Sequence, residues 1–377
     1  MIEKKIWANS GDSHFLEPPD LFSSGLPKSL ADRMPKSQKF DDYEIVTVDG
    51  LEFRRNIPKP GKTGESMSDI VNQRAPGANN PVLRLKDLDQ EGIWAEVTYP
   101  SIGIWASSIR SADLMREGVK CLNDWACEYI MKASPRLVPT ASVSLLDVDD
   151  AVAEVERCAE LGFRAVFLPT APPPTQRGYH YIEQWDRLWS ALEANNMVLA
   201  FHIGTEPVDA DKQTGVTFRG PGGAVLNYTY TTFGGQVATM QMVASGALDR
   251  HPDLRVLVSE GGATWGPFLG DRMNEGYRQH GIYVRPELSK PPKQFIYEQV
   301  YASFQHDETA VAAMQYMGWK NVMWGSDYPH LEGTYGHTQK TLHELFDDAP
   351  AEVRKRITIG AFQDLFPEVG PPPADEA

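Results

Sequence analysis

Apolar and β-branched residues gather in short runs, and between them apolar residues recur every three or four positions. The short runs are Ile6–His14, Ala95–Pro100, Leu137–Leu145, Arg164–Thr170, Met197–Gly204, Leu254–Gly261, Val300–His306 and Asn321–Asp327. Runs of this length suit strands buried on both faces, as in a parallel sheet. Helical spacing joins Leu114, Val119, Leu122 and Trp125 within 111–131, and Trp185, Leu188, Trp189 and Leu192 within 181–194. A helix is also expected at 148–161, where the leading acids suit a helix N-terminus, and others at 235–248, 264–280, 308–317 and 338–346. Eight strands alternating with helices predict βαβ crossovers with a parallel sheet, an α/β class and closure into a (β/α)₈ barrel.

Three stretches interrupt the repeat. Residues 19–82 are rich in Pro, Gly, Lys and Asp and are expected to form an insertion after the first strand. Within it, Val46–Phe53 reads as a hairpin turning at Asp49-Gly50, a dipeptide that tolerates the positive φ angles of a tight hairpin. Residues 205–230 read as a long lid-like loop after the fifth strand, and the Pro-rich, acidic 367–377 as a flexible tail. The barrel is thus expected to occupy 1–366 as one domain.

Composition narrows the classes of function. The chain has 377 residues, 41% of them hydrophobic, so it can bury a core without disulfide staples. Its formal charge of −15 argues against nucleic acid as a partner, since phosphate binding needs clustered Lys and Arg. Three cysteines, Cys121, Cys127 and Cys158, match neither a disulfide framework nor a cysteine zinc motif. The first 15 residues lack the apolar core of a leader, and no apolar run approaches the roughly 20 residues of a membrane span, so the expectation is a cytoplasmic protein. No Walker motif, dinucleotide fingerprint or Gly-x-Ser-x-Gly elbow is present.

In a parallel barrel, chemistry gathers at the C-terminal ends of the strands. The first strand ends in Asp12-Ser13-His14 with Glu17 beyond, the fifth in His202, the sixth in Ser259-Glu260, the seventh in His306, and the eighth in Asp327 followed by His330. Residues i and i+2 of a strand point the same way, so Asp12 and His14 can reach one ion. Carboxylate and neutral imidazole are ligands for Zn, Mn or Fe, and such an ion can activate water or a substrate oxygen. His330 is expected to orient Asp327 from behind. His180 and His251 are expected to be structural, and His280, His337 and His343 to lie at the surface. Trp265 and Trp324 adjoin the strand ends and are candidates to line the site.

Taken together, DSHFLEP at 12–18, YPS at 99–101, GFRAVFLP at 162–169, the run ending in AFHIG at 200–204, HPDLRVLVSEGG at 251–262 and NVMWGSDYPH at 321–330 resemble the amidohydrolase-related proteins. That branch of the amidohydrolase superfamily includes aminocarboxymuconate-semialdehyde decarboxylase and the resorcylate decarboxylases. The resemblance spans about Ala8 to Phe366 and implies a metal-bearing barrel of the metal-dependent hydrolase type. It assigns Asp12, His14, His202 and Asp327 as metal ligands. It also marks two departures: Asp12 stands where the superfamily more often has histidine, and Glu260 where the decarboxylases carry a catalytic histidine.

The resulting expectation is a metal-dependent hydrolase acting on a small organic acid, amide or ring compound through a metal-activated water. Asp327 takes the proton, with Glu260 and His306 as further acid–base candidates. Glu17 and Glu260 are kept as additional metal ligands. One ion does not need four carboxylates, so zinc is expected for a single-ion site and iron or manganese for a bridged pair. The alternatives are a dinuclear Fe/Mn oxygenase, a non-oxidative decarboxylase, and a catalytically silent subunit of a hetero-oligomer. The resemblance also implies a homo- or hetero-oligomer.

Overall fold

Eight parallel strand segments follow one another around a barrel in the computed structural model, which describes residues 4–41, 43–56, 75–206, 218, 220–330 and 332–373. The first segment is split into β1 (Ala8–Ser10) and β2 (His14–Phe15). A three-stranded antiparallel sheet follows: β3 (Lys36–Lys39), β4 (Tyr43–Val48) and β5 (Leu51–Asn56). The barrel resumes with β6 (Ile93–Pro100), β7 (Leu137–Ser142), β8 (Ala165–Pro169) and β9 (Val198–His202). It ends with β10 (Val256–Ser259), β11 (Val300–Phe304) and β12 (Val322–Trp324). The order β1-β6-β7-β8-β9-β10-β11-β12 is parallel throughout. All eight expected strands are therefore present.

The seam between first and last strands closes through Gly11 N to Trp324 O, Asp327 N to Asp12 O and a Ser13–Tyr328 bridge. Close approach there needs glycine on both sides. A Cβ on Gly11 would lie 2.4 Å from the Met323 sulfur, and one on Gly325 2.9 Å from the Asp12 Cβ.

Alternating inward residues fill the barrel: Ala95, Val97 and Tyr99 of β6, Phe167 of β8, Ala200 of β9, Leu257 of β10 and Met323 of β12. Phe362, Leu365 and Phe366 of the C-terminal helix pack onto the same cluster. A second core lies between strands and helices, around Trp185, Leu188, Trp189 and Trp319. The helix Val148–Leu161 starts at an Asp147 cap, whose side chain accepts from the amides of Asp149 and Asp150, and ends at Gly162 in the left-handed region. The three cysteines are free thiols. No helix among the described residues is long and apolar enough to cross a membrane.

The insertion at 19–82, the loop at 205–230 and the tail at 367–377 fall partly outside the described residues. In the described part of the insertion the hairpin turns at Asp49-Gly50: Val48 pairs with Leu51, and φ is 47° and 78° at the two turn residues. β3, whose Lys36–Lys39 sequence is polar, adds an edge that the hydrophobic pattern does not announce. Two expectations need correction. Residues 223–230, assigned to the loop, open a helix that runs to Ala244; its Tyr-Thr-Tyr-Thr-Thr stretch at 228–232 has weak helix propensity, which tertiary context overrides. The tail does not begin at Pro367, because Val369 is buried against the barrel interior and Trp94 Nε1 donates to Gly370 O.

Candidate metal centre

The strand ends converge at one mouth. His14 comes from β2, His202 ends β9, Glu260 follows β10 and Asp327 follows β12. Glu260 and Asp327 both have left-handed backbone, with φ of 61° and 53°, and non-glycine residues rarely adopt it. That turn directs the carboxylate back over the mouth just as each strand ends. The Glu260 amide donates to Ser303 Oγ, and the Asp327 amide to Asp12 O, which fixes both turns.

The side chains form overlapping sets of potential ligands: Asp12, His14 and His202; His14, Asp327 and His330; and Asp12, Glu260 and Asp327. Within each set the donor atoms lie within 4.8 Å of one another. His202 Nε2 is 3.3 Å from Asp12 Oδ1 and 3.7 Å from Glu260 Oε2. His14 Nε2 is 3.6 Å from Asp327 Oδ1 and 3.9 Å from Asp12 Oδ1. Asp12, His14, His202 and Asp327 are buried. The carboxylate oxygens of Asp12 and Asp327, both ring nitrogens of His14 and His202 Nε2 lack well-formed hydrogen bonds, although His330 Nδ1 approaches Asp327 Oδ1 to 2.8 Å. Buried polar atoms in native proteins are almost always paired, and a divalent cation could be held by the atoms that face one another here, His14 Nε2, His202 Nε2 and one oxygen each of Asp12 and Asp327. His202 Nδ1 lies 2.9 Å from Ile203 O, so its N–H donates there and Nε2 faces the cluster. The residues therefore fit a divalent ion.

Without a cation the charges act on one another. Burial pushes the Glu260 and Asp327 carboxyls well up, and the charge of Asp327 on Glu260, and of Asp12 on Asp327, adds to it. Burial also holds the His14 imidazole well below its ordinary value, with His330 and His202 acting the same way. His202 goes the other way: burial lowers it, but Asp12 and Glu260 beside it raise it to about 9.

Other residues singled out from sequence take other places. Glu17 is not in the cluster. Its carboxylate accepts the amides of Ser101, Ile102 and Gly103, holding the loop after β6. His306 is also elsewhere: its Nε2 contacts Glu332 O at 3.3 Å and its ring stacks on His337. Trp265 packs against Trp319 and Trp324 is wholly buried, so neither lines the cavity, whereas Trp105 does. His330 takes the place beside Asp327 expected of it and also borders the cavity. Its Nδ1 is 2.8 Å from Asp327 Oδ1, and its ring stacks on His14 at 4.0 Å. Tyr99 was not singled out, yet its ring packs against those of His14 and His202 and its hydroxyl pairs with Ser259 Oγ at 2.6 Å. Its position on an inward-facing strand end was the available signal.

A cavity of about 620 Å³ opens over the cluster. His14, His202, Glu260 and His330 line it from the cluster, Trp105 from a side wall and Val46 from the inserted sheet. Its size suits a small organic molecule.

The family model described as amidohydrolase matches residues 74–360. Two relatives are decarboxylases. One, from Aspergillus niger, is 24% identical over 201 residues, 51% of this chain and 52% of that protein, so the match spans about half its length. The other, a gamma-resorcylate decarboxylase from a Polaromonas species, is 22% identical over 302 residues, 75% of this chain and 86% of that protein. Among solved structures, an amidohydrolase from Mycobacterium avium subsp. paratuberculosis superposes with a TM-score of 0.77 at 18% identity, covering 97% of this chain and 100% of that one. A dihydroxybenzoic acid decarboxylase from Polaromonas, with bound manganese and 2-nitroresorcinol, gives 0.64 at 16% identity, covering 96% and 97%. At these identities the structural matches speak for the fold.

Proposed function

We propose, starting from the fact that this chain belongs to the amidohydrolase family, that it is a divalent-metal-dependent enzyme that decarboxylates a small hydroxyaromatic acid without oxidation. The observation that carries this reading is Glu260: it lines the cavity beside the buried set of Asp12, His14, His202 and Asp327, whose facing donor atoms lack well-formed hydrogen bonds. The two relatives are decarboxylases, which moves the reading away from the hydrolysis that the strand-end donors suggest on their own. Manganese accepts carboxylate ligands of the kind Asp12 and Asp327 offer, and one structural relative contains it.

Asp12, His14, His202 and Asp327 would hold a divalent ion, which would supply Lewis acidity toward the oxygens of the substrate. The protein supplies position and the proton. The bond between ring carbon and carboxylate breaks, its electron pair stays on the ring carbon, and carbon dioxide leaves. Glu260 gives that carbon its proton, because of the three clustered carboxylates it is the one that borders the cavity. His330, which borders the cavity and touches Asp327, offers a route by which protons return from solvent. The cavity wall of Trp105 and Ile102 holds the ring flat against apolar surface.

A second reading is hydroxylation at a two-iron or iron–manganese pair. One observation favours it: Asp12, Glu260 and Asp327 bring three carboxylates within 4.8 Å, more anionic donors than one ion requires. The test uses protein stripped of metal and reloaded with Mn²⁺, incubated anaerobically in D₂O with 2,6-dihydroxybenzoate and related ortho-hydroxybenzoates. Release of carbon dioxide with one deuterium at the vacated ring carbon, lost in Glu260→Gln, is expected. Two iron or manganese ions per natively purified chain, with oxygen consumption and ring hydroxylation, would overturn the reading in favour of the second.

A further inference from the structure

Arg84 lies on the helix Pro81–Glu91, on the far side of β2 from the cavity, and its side chain is completely buried. Its Nε pairs with Glu96 of β6. Nη1 donates to His14 O at 2.7 Å, and Nη2 reaches Tyr328 O at 3.4 Å. The guanidinium also sits over the Phe15 ring at 5.0 Å and the Tyr328 ring at 4.5 Å. One turn further along the helix, Asp87 accepts the Tyr328 hydroxyl at 2.5 Å and the Gly77 amide at 2.8 Å. The helix thus holds Tyr328 at both its carbonyl and its phenol.

Burying a guanidinium is unfavourable, and a pair of this kind is often replaced by apolar residues without loss of stability. Packing alone therefore does not account for it. The atoms Arg84 grips are more specific: the carbonyl of His14, and that of the residue immediately after Asp327. They lie on opposite sides of the barrel seam, where His14 N also donates to Tyr328 O at 2.6 Å. A planar fork that binds both carbonyls while anchored to Glu96 fixes how far apart the two strand ends sit.

We propose that Arg84 is a positioning residue for the metal centre, setting the 3.6 Å spacing between His14 Nε2 and Asp327 Oδ1. This inference rests on the metal reading above. Substituting groups that orient metal ligands from behind typically lowers metal affinity by about 10- to 100-fold. Arg84→Lys keeps a positive charge for Glu96 but cannot span both carbonyls, and a loss of that size is expected. The double variant Arg84→Gln, Glu96→Gln leaves no unpaired buried charge and is expected to show the same loss.

The test measures Mn²⁺ dissociation constants for the full chain by EPR of the free ion, with thermal melts alongside. The control is Arg157→Lys, the same chemical change at a guanidinium that pairs with Glu154 and Asp124 on outer helices. It is expected to bind within about threefold of the parent, as distant sites act independently. Weakened binding in both Arg84 variants, with the control unaffected, supports the proposal. Parent-like affinity in a folded Arg84 variant overturns it, as does an equal loss in the control. If Arg84→Lys fails to fold, the double variant decides. A parent protein that takes up no Mn²⁺ overturns the metal reading itself, and this inference with it.

Discussion

Asp327→Asn is expected to raise stability in the absence of a cation and to forfeit most of the stabilisation a cation brings. Asparagine keeps the shape of the side chain and tolerates the left-handed backbone at this position, where φ is 53°. In metal-free protein the substitution removes one of three carboxylates clustered within 4.8 Å. Two unit charges at that distance repel by about 3.5 kcal/mol at an effective dielectric near 20. Partial protonation already relieves some of this, since burial and Asp12 push the Asp327 carboxyl up. A net gain of about 1–2 kcal/mol remains. At about 2.1 cal mol⁻¹ K⁻¹ per residue, a chain of 377 residues has an unfolding entropy of roughly 0.8 kcal mol⁻¹ K⁻¹. The metal-free variant should therefore melt about 1–3 °C above metal-free parent. Mn²⁺ at about 100 times its dissociation constant stabilises by about 2.7 kcal/mol, raising the parent by about 3 °C. The variant, having lost a charged donor, should gain less than about 1 °C at the same concentration. Differential scanning calorimetry with and without chelator reads the order of the four melts. If metal-free Asp327→Asn melts below metal-free parent, or if Mn²⁺ raises both equally, the cluster is not a cation site and the reasoning fails.

Glu17→Gln should lower stability by about 1–3 kcal/mol, because an amide cannot accept three backbone N–H groups as the carboxylate does, while Mn²⁺ stoichiometry stays unchanged. Loss of the ion in that variant would restore Glu17 as a ligand. Gly266→Ala places a Cβ 2.4–2.6 Å from three atoms of the Trp319 ring and should cost about 1–3 kcal/mol with an altered near-ultraviolet dichroism of the tryptophans; an unchanged melt would show that the ring yields freely. Burial pushes the Asp49 carboxyl up, but the Arg110 amide and the Arg33 guanidinium outweigh it and hold it low. Its contribution is then present above the unfolded carboxyl value and fades as pH falls through the lower folded one. Asp49→Asn should cost about 1 kcal/mol at neutral pH and almost nothing once the pH has fallen below the lowered folded value of the carboxyl, by urea titration at each pH. A cost that does not change with pH would assign the effect to the turn instead of the charge.

The barrel was legible because its strands are short, apolar and evenly separated. The helices Val148–Leu161, Glu308–Met317 and Thr338–Phe346 begin and end where the sequence places them. The convergence of Asp12, His14, His202 and Asp327 was legible for a related reason: a parallel barrel sends every strand's last residues to one mouth. What escaped depends on groups that a sequence pattern does not display. Glu17 looks like any acid near a strand end, and only the fold aligns three backbone amides with its carboxylate. His306 ends the seventh strand but turns outward to Glu332 and His337. Arg84 has the sequence signature of an exposed helical residue, and its burial follows from Glu96 standing opposite. β3 escaped because an edge strand of charged residues carries no hydrophobic period.

The candidate ligands also bear on how the chain reaches its final form. Asp12 and His14 precede Asp327 by more than 300 residues of chain, and Asp327 N is joined to Asp12 O across the seam. A nascent chain emerging from the ribosome exposes the first two long before the last exists. A cation held there would act as a clasp on a ring whose first and last strands have already met. Translation must pass the eighth strand before the centre can load, so a product cut short before Asp327 carries only a half-built cup, however much of its barrel has folded.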